Sequence, residues 1–306
     1  MNRRCRDKNK GSYINLLFFP NGMNLRTLLN EFRGYNKDDS KVLAAYKFAA
    51  EVHKTHKRAS GEPFIQHPLN VAYLLAQLRM DANTIIAALL HDTVEESDTT
   101  IGNIKSSFGE EVAMMVDGVT KLTEIKVKNI EESEAENIRK MLMASTRDIR
   151  VIIIKLADKL HNMRTLNYLT KEQQERICKE TLNVYAPLAY RLGMASIKWE
   201  LEDLSFKYLE PEIYKKFKEK FGKKRSQREK EIKSIKGIVE KELGKRNIQC
   251  KILGRPKHFY SIYKKMVTKH RSFEELHDLI GLRIVVNDIR SCYEVLGIIH
   301  NLWKPI

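Results

Sequence analysis

A histidine joined directly to an aspartate, His91–Asp92, stands at the polar end of an apolar run from Thr84 to Leu90, and two carboxylates, Glu95 and Glu96, follow it. An imidazole beside carboxylate oxygens suits Mn, Fe, Zn or Co, and oxygen-rich versions also suit Mg. His67 lies upstream, just before Pro68, in a break between two helical stretches. Asp158 lies downstream, in Lys155-Leu-Ala-Asp-Lys-Leu-His-Asn162. Taken singly, each of these reads as a turn residue, a paired buried acid or a solvated helix end. The ordered set His…His-Asp…Asp, drawn from three helices, is the specific signal. An isolated acid in such apolar helices is costly unless it is paired or metal-bound. The four residues form a candidate ligand set with positions left open for water and substrate.

The elements that must position them are helical. Val42, Ala45, Tyr46, Ala49 and Val52 recur at three- and four-residue steps, and Val71, Leu74, Leu75 and Leu78 form a second stripe. Thr84–Leu90 is too uniformly apolar for a surface helix and is expected at the centre. Thr100 can cap a helix ending near Gly109, and Val112, Met115, Val116, Val119 and Leu122 continue the pattern. The β-branched run Val151–Ile154 favours a strand by propensity. The helical spacing of Ile149, Ile153, Leu156, Leu160 and Met163 favours a helix, which is the expectation adopted. After Asn247 the period shortens. Gln249–Leu253 and Leu282–Val286 read as strands, with helices over Tyr260–Lys269 and Ser291–Trp303, the opening of an α/β domain.

The chain has 306 residues and a formal net charge of +16. Such a balance suits a polyanion partner without choosing among nucleic acid, nucleotide and membrane surface. The excess is concentrated: residues 206–246 carry +8 and the first ten carry +4. The first of these segments reads as a basic helical connector with a solvated face. The cysteines, Cys5, Cys178, Cys250 and Cys292, are far apart and show no zinc-ribbon spacing, which points to reduced thiols in a cytoplasmic protein. No apolar run approaches the ~20 residues of a membrane span. Residues 1–22 are expected to be a disordered extension, with Met23 a candidate start.

The longer strings are more particular. Arg58-Ala-Ser-Gly-Glu-Pro-Phe-Ile-Gln-His67, Leu90-His-Asp-Thr-Val-Glu-Glu96, Val116-Asp-Gly-Val-Thr-Lys-Leu122 and Lys155-Leu-Ala-Asp-Lys-Leu-His-Asn-Met-Arg-Thr165 resemble the Rel/SpoT family, which makes and destroys the guanosine alarmone (p)ppGpp. The resemblance runs over about residues 25–306. It implies an HD-type helical bundle over 23–205, a basic helical connector over 206–247 and a partial, mixed-sheet α/β synthetase domain over 248–306, a mainly α chain. It implies that His67, His91, Asp92 and Asp158 hold one Mn²⁺ and that Glu95 and Glu96 activate the water attacking the 3′-pyrophosphate. Arg58 would meet phosphate charge, and Ser60, Asn162 and Thr165 would line the guanosine pocket, with Arg58 and Asn162 also counted in the catalytic set. The family usually has a basic residue at Ala59; the departure bears on nucleotide affinity and leaves the metal chemistry untouched. His53 and His56 match no part of the motif. His161 reads as structural or supporting. Lys57, and less distinctly Lys155 and Arg164, are candidates for the phosphate side.

Gly254-Arg-Pro-Lys-His-Phe-Tyr-Ser-Ile-Tyr-Lys-Lys-Met266 and Asp278-Leu-Ile-Gly-Leu-Arg283 resemble the start of the family's synthetase domain. By that resemblance Arg255, Lys257 and His258 lie near ATP phosphates and Asp278 helps hold Mg²⁺. A basic, glycine-containing strand-to-helix turn fits a triphosphate. The GTP-binding tyrosine loop and later catalytic glutamate of the family are not in this sequence, so synthesis is not expected of it. Without the family's carboxyl-terminal regulatory half, neither is ribosome contact. The leading expectation is a (p)ppGpp 3′-pyrophosphohydrolase with a small-molecule substrate and no specific nucleic-acid or membrane partner. An HD phosphohydrolase of another nucleotide and a non-catalytic alarmone binder are the alternatives.

Overall fold

The structure is a computed structural model that describes residues 23–124, 148–256, 258–269 and 280–304. Within these, the side chains of 220–229, 255, 256, 269 and 280 are left aside. The expected extension at 1–22 lies outside the described residues. The described chain forms two compact units that meet in sequence between Leu209 and Glu210.

The first unit is helical. Its elements are α1 (Leu25–Arg33), α2 (Ser40–Val52), α3 (Gln66–Gln77), α4 (Ala82–Leu90), α5 (Ile101–Phe108), α6 (Glu110–Glu124), α7 (Arg150–Arg164), α8 (Lys171–Glu180), α9 (Ala186–Arg191) and α10 (Ala195–Leu209). α4 is the central helix its composition calls for. Every residue from Thr84 to Leu90 is buried, and α2, α3, α6 and α7 pack around it. Its start is fixed locally: Asp81 accepts from the Thr84 amide at 3.1 Å and from its hydroxyl at 2.6 Å, satisfying a backbone donor that the first turn leaves open. Thr100 caps α5 in a reciprocal capping box with Asn103, and the helix ends at Gly109.

α7 is a helix despite its β-branched start, because tertiary burial overrides propensity. Ten of its residues are buried, from Val151 through Met163. Ile149, expected on its apolar stripe, is instead 49% exposed just before the helix. α6 approaches α7 closely at Gly118, where a Cβ would come within 2.9 Å of Val151 Cγ2.

The second unit comprises α11 (Pro211–Lys245), β1 (Cys250–Pro256), α12 (Phe259–Lys269), β2 (Ile280–Val286) and α13 (Ile289–Leu302). The strands are antiparallel, from Cys250 opposite Val286 to Pro256 opposite Ile280. The basic segment is therefore one long helix from Pro211 that packs on both strands and on α13. Val239 and Leu243 of α11 join Ile252, Val295 and Ile298 in a small core. β1 runs further than its apolar pattern suggests and takes in Gly254–Pro256. A Cβ at Gly254 would fall 2.2 Å from Ile232 Cγ2, so this glycine lets α11 lie against β1.

Candidate metal and phosphohydrolase site

The site is assembled from the start of α3, the end of α4 and the middle of α7. His67 sits in the first turn of α3, not in a break between helices; Pro68 follows it inside the helix, where the first turn needs no amide donor. His91 closes α4 at its C-terminal end, with Asp92 next. Asp158 lies in the buried middle of α7.

All four candidate ligands converge. Among the described residues, His67, His91 and Asp158 each offer a ligand atom within 4.8 Å of the others. Asp92 closes the group, with Oδ2 3.5 Å from His67 Nε2 and Oδ1 3.1 Å from His91 Nε2. Asp158 Oδ1 is 3.2 Å from His67 Nε2. His91 Nδ1 lies 2.9 Å from the Ala88 carbonyl and donates to it, so in the neutral ring Nε2 keeps its lone pair. That Nε2 is buried without a hydrogen-bond partner and faces a carboxylate oxygen. Opposed lone pairs at this distance are unfavourable unless a cation lies between them. The donor set, two imidazoles and two carboxylates, with His67, His91 and Asp158 each held by a further contact, fits a divalent ion.

Charge is balanced by the surroundings. Burial alone would raise the Asp158 pKa, but Lys155 and then His67 outweigh it and hold the carboxyl well below its usual range. Lys155 donates to Asp158 Oδ2 at 2.8 Å and to Thr123 Oγ1 at 3.0 Å. Burial lowers the Lys155 pKa, yet Asp158, together with Asp92 and Glu95, outweighs it and raises the pKa overall, so the amine stays charged. Arg164 pairs with Glu200. Neither Lys155 nor Arg164 is a loose surface charge. Glu95 is exposed on the turn after Asp92; partial desolvation and then the Asp92 charge push its carboxyl above the usual range. Glu96 is exposed on the same turn, its amide bonded to the Asp92 carbonyl at 3.0 Å.

The loop before α3 brings in Arg58. Its backbone bonds to Glu62 and Gly61, and Gly61 adopts φ +83°, a left-handed conformation suited to glycine. Arg58 Nη2 donates to Asn162 Oδ1 at 2.6 Å, and Asn162 Nδ2 donates to Asp158 Oδ1 at 2.6 Å. Thr165, at the end of α7, donates to the His161 and Asn162 carbonyls at 3.4 and 3.3 Å. Ser60 donates to Glu62 at 3.4 Å; Lys57 and Ala59 are exposed.

Sequence reasoning understated His161. It is buried, and its Nδ1 lies 2.8 Å from His67 Nδ1 and 3.1 Å from Arg58 Nη1. Its place three residues beyond Asp158 on α7 was the available signal. His53 is buried with its ring 4.6 Å from that of Phe64, and burial pushes its pKa down to about 4. It lies outside the ligand group.

In the second unit, Arg255 lies on β1 and not in a turn, and His258 stands just before α12. Lys257 and Asp278 lie outside the described residues. No helix among the described residues is long and apolar enough to cross a membrane.

Comparison with known proteins agrees with this architecture. Residues 45–195 match the HD domain, and residues 254–306 match the region found in RelA / SpoT proteins. A guanosine-3′,5′-bis(diphosphate) 3′-pyrophosphohydrolase of Aquifex aeolicus is 49% identical over 273 residues, 89% of this chain and 39% of its own. The bifunctional (p)ppGpp synthase/hydrolase SpoT of Escherichia coli is 46% identical over 261 residues, 85% of this chain and 37% of its own. A GTP pyrophosphokinase of Streptomyces coelicolor is 46% identical over 262 residues, 86% of this chain and 31% of its own. The chain spans about a third of the length of the curated relatives it matches. The helical unit is an HD domain, the fold of metal-dependent phosphohydrolases. The chain belongs to the Rel/SpoT family.

Proposed function

We propose that this chain hydrolyses the 3′-pyrophosphate of (p)ppGpp at the HD site, using one Mn²⁺ held by His67, His91, Asp92 and Asp158. The observation that carries the reading is the convergence of these residues with His91 Nε2 buried, unpartnered and facing a carboxylate oxygen. The substrate rests on the names of the Aquifex and Escherichia relatives.

When bound, the ion supplies hydroxide near neutral pH and offsets phosphate charge. The chain's own groups do the rest. Glu95, with its raised affinity for a proton, takes the proton of the attacking water, and Glu96 helps orient that water. The water oxygen bonds to the phosphorus attached to the ribose 3′-oxygen, the bond between them breaks, pyrophosphate departs, and the 3′-oxygen gains a proton. Arg58, Ser60, Asn162 and Thr165 form the nucleotide-facing rim. Arg58 meets the substrate's negative charge from the anchorage it already has on Asn162. In the second unit Arg255, Lys257, His258 and Asp278 are the remnant of an ATP site, which Mg²⁺ would serve if the synthetase site were complete. We place the protein in the cytoplasm.

Purified protein is assayed for pyrophosphate release from ppGpp with Mn²⁺, with chelator, and as Asp92→Ala. Release is expected only with Mn²⁺ and the intact aspartate. Absence of Mn²⁺-dependent release overturns the reading.

A further inference from the structure

We propose that the outer face of α11 over residues 230–245 is a docking surface for the phosphate backbone of duplex nucleic acid, bound without regard to sequence. This surface belongs to the second unit and does not depend on the hydrolase reading. Val239 and Leu243 are fully buried and join Ile252, Val295 and Ile298 in the small core. At 3.6 residues per turn, the positions on the opposite side of this stretch are Lys230, Lys233, Ser234, Gly237, Lys241, Gly244 and Lys245. All of them are exposed, and none is acidic. The acids of the stretch, Glu231, Glu240 and Glu242, lie on its flanks. Glu240 pairs with Lys236 and Glu242 with Lys245. Lys230, Lys233 and Lys241 form no salt bridge with another described residue. A row of ammonium groups thus runs about 22 Å along the helix, at 1.5 Å per residue.

Packing does not call for the glycines in this row. Gly237 stands mid-helix, where glycine is among the poorest helix formers. A Cβ there, as at Gly244, would meet nothing within 4 Å, and neither residue has a positive φ. Gly254, by contrast, is required by the approach of Ile232. An empty position on an exposed helix face permits close approach from outside. With Ser234 and Gly237 between the lysines, a phosphate chain can lie against the helix and still reach ammonium groups on both sides. Lysine meets phosphate as a point charge. The face carries no Arg, Asn or Gln to read base edges, and no aromatic ring on which an unpaired base could stack. Backbone charge is what remains to be bound. A membrane surface fits less well. An interfacial helix inserts an apolar face, and that of α11 is spent on the core. Among the described residues of α11, Ile238 on the flank is the one large apolar side chain left exposed.

Fluorescence anisotropy of a labelled DNA duplex of random sequence, titrated with the full chain, tests the surface. At about 50 mM salt, binding is expected in the 10⁻⁴–10⁻⁶ M range of non-specific contacts. Replacing the row (Lys230→Gln, Lys233→Gln, Lys241→Gln and Lys245→Gln together) should weaken it at least about tenfold and flatten the salt slope by about 3. The same number of charges is removed from exposed lysines of the first unit by Lys41→Gln, Lys47→Gln, Lys54→Gln and Lys171→Gln, and this control should bind close to wild type. Gly237→Gln should melt no lower than wild type, since glutamine is the better helix former, yet bind about threefold or more weakly. The proposal is overturned by absence of duplex binding in the wild type, by equal losses in the two lysine variants, or by unchanged affinity in Gly237→Gln. Vesicles with anionic headgroups form a second arm. Vesicle binding tighter than duplex binding and lost with the same four lysines would assign the face to a membrane and overturn the nucleic-acid reading. Should the quadruple variant of α11 fail to fold, Gly237→Gln and the vesicle arm decide.

Discussion

Lys155 and Asp158, one turn apart on the same helix, divide the Asp158 carboxylate in two. Oδ2 accepts from the Lys155 amine at 2.8 Å, while Oδ1 accepts from Asn162 at 2.6 Å and faces His67 Nε2. The two side chains are 12% and 6% exposed. One charge is therefore committed to holding the other in a site with little water.

Removing the lysine tests this division. Lys155→Met leaves a buried carboxylate uncompensated, and breaking such a pair costs about 3–5 kcal/mol. The metal-free variant is expected to melt well below the metal-free wild type. On the proposed metal reading, Mn²⁺ bound to the folded state would supply the missing positive charge and should raise the variant's melting temperature more than the wild type's. Thermal unfolding with and without Mn²⁺ measures both. Equal shifts would mean that Lys155 does not compensate Asp158.

Glu95 and the metal ligands should separate in mutagenesis. Glu95→Gln keeps the shape of the side chain and removes the proton acceptor. Hydrolysis of ppGpp is expected to fall about 10²–10⁴-fold, the usual worth of a positioned acid or base, with Mn²⁺ binding retained. Asp92→Asn should weaken Mn²⁺ binding as well. Parallel ion-binding and turnover measurements distinguish the two, and loss of Mn²⁺ affinity in Glu95→Gln would place that residue among the ligands.

A second charge cluster, outside the site, predicts the acid limb of stability. Arg150 bonds Asp148 at 2.6 Å and Asp81 at 3.2 Å, and also pairs with Glu111. It ties the start of α7 to the N-cap of α4 and to the first turn of α6. Arg150 and the local backbone hold Asp148 below the ordinary carboxylate range. At Asp81 burial pushes upward but is outweighed by Thr84 and Arg150. A carboxyl depressed in the folded state contributes stability fully above its unfolded pKa and loses it as pH falls through the folded value. Arg150→Met should cost about 1–2 kcal/mol near neutral pH, discounted because Asp81 and Glu111 are nearly half exposed. The difference from wild type should shrink as pH drops below the carboxylate range. Denaturant midpoints across pH check the sign; a gap that widens in acid contradicts it.

Gly118→Ala tests the seam between α6 and α7. The new methyl would meet Val151 Cγ2 at 2.9 Å and Cγ1 at 3.1 Å, and overpacking of this kind costs about 1–3 kcal/mol. Pairing it with Val151→Ala should restore part of the loss, since the clash is with that side chain alone. A double-mutant cycle on unfolding free energies gives the coupling, and simple additivity would rule out the contact as the cause.

What the sequence determined by itself is local or periodic. The stripe of α2, the uniform apolarity of α4, the Thr100 cap and the ordered His67, His91–Asp92 and Asp158 set are legible because a helix carries its own period, a cap acts within one turn, and buried acids need partners. Even the β-branched opening of α7 yields to its spacing. What only the tertiary structure decided are contacts between segments far apart in the chain. His161 meets His67 across 94 residues and Arg58 meets Asn162 across 104, and no local rule states which rings will touch. The roles of Gly118 and Gly254 depend in the same way on Val151 and Ile232 arriving from other helices. The residue types able to hold a cation are written in one dimension. The contacts that gather them exist only once α3, α4 and α7 have packed together.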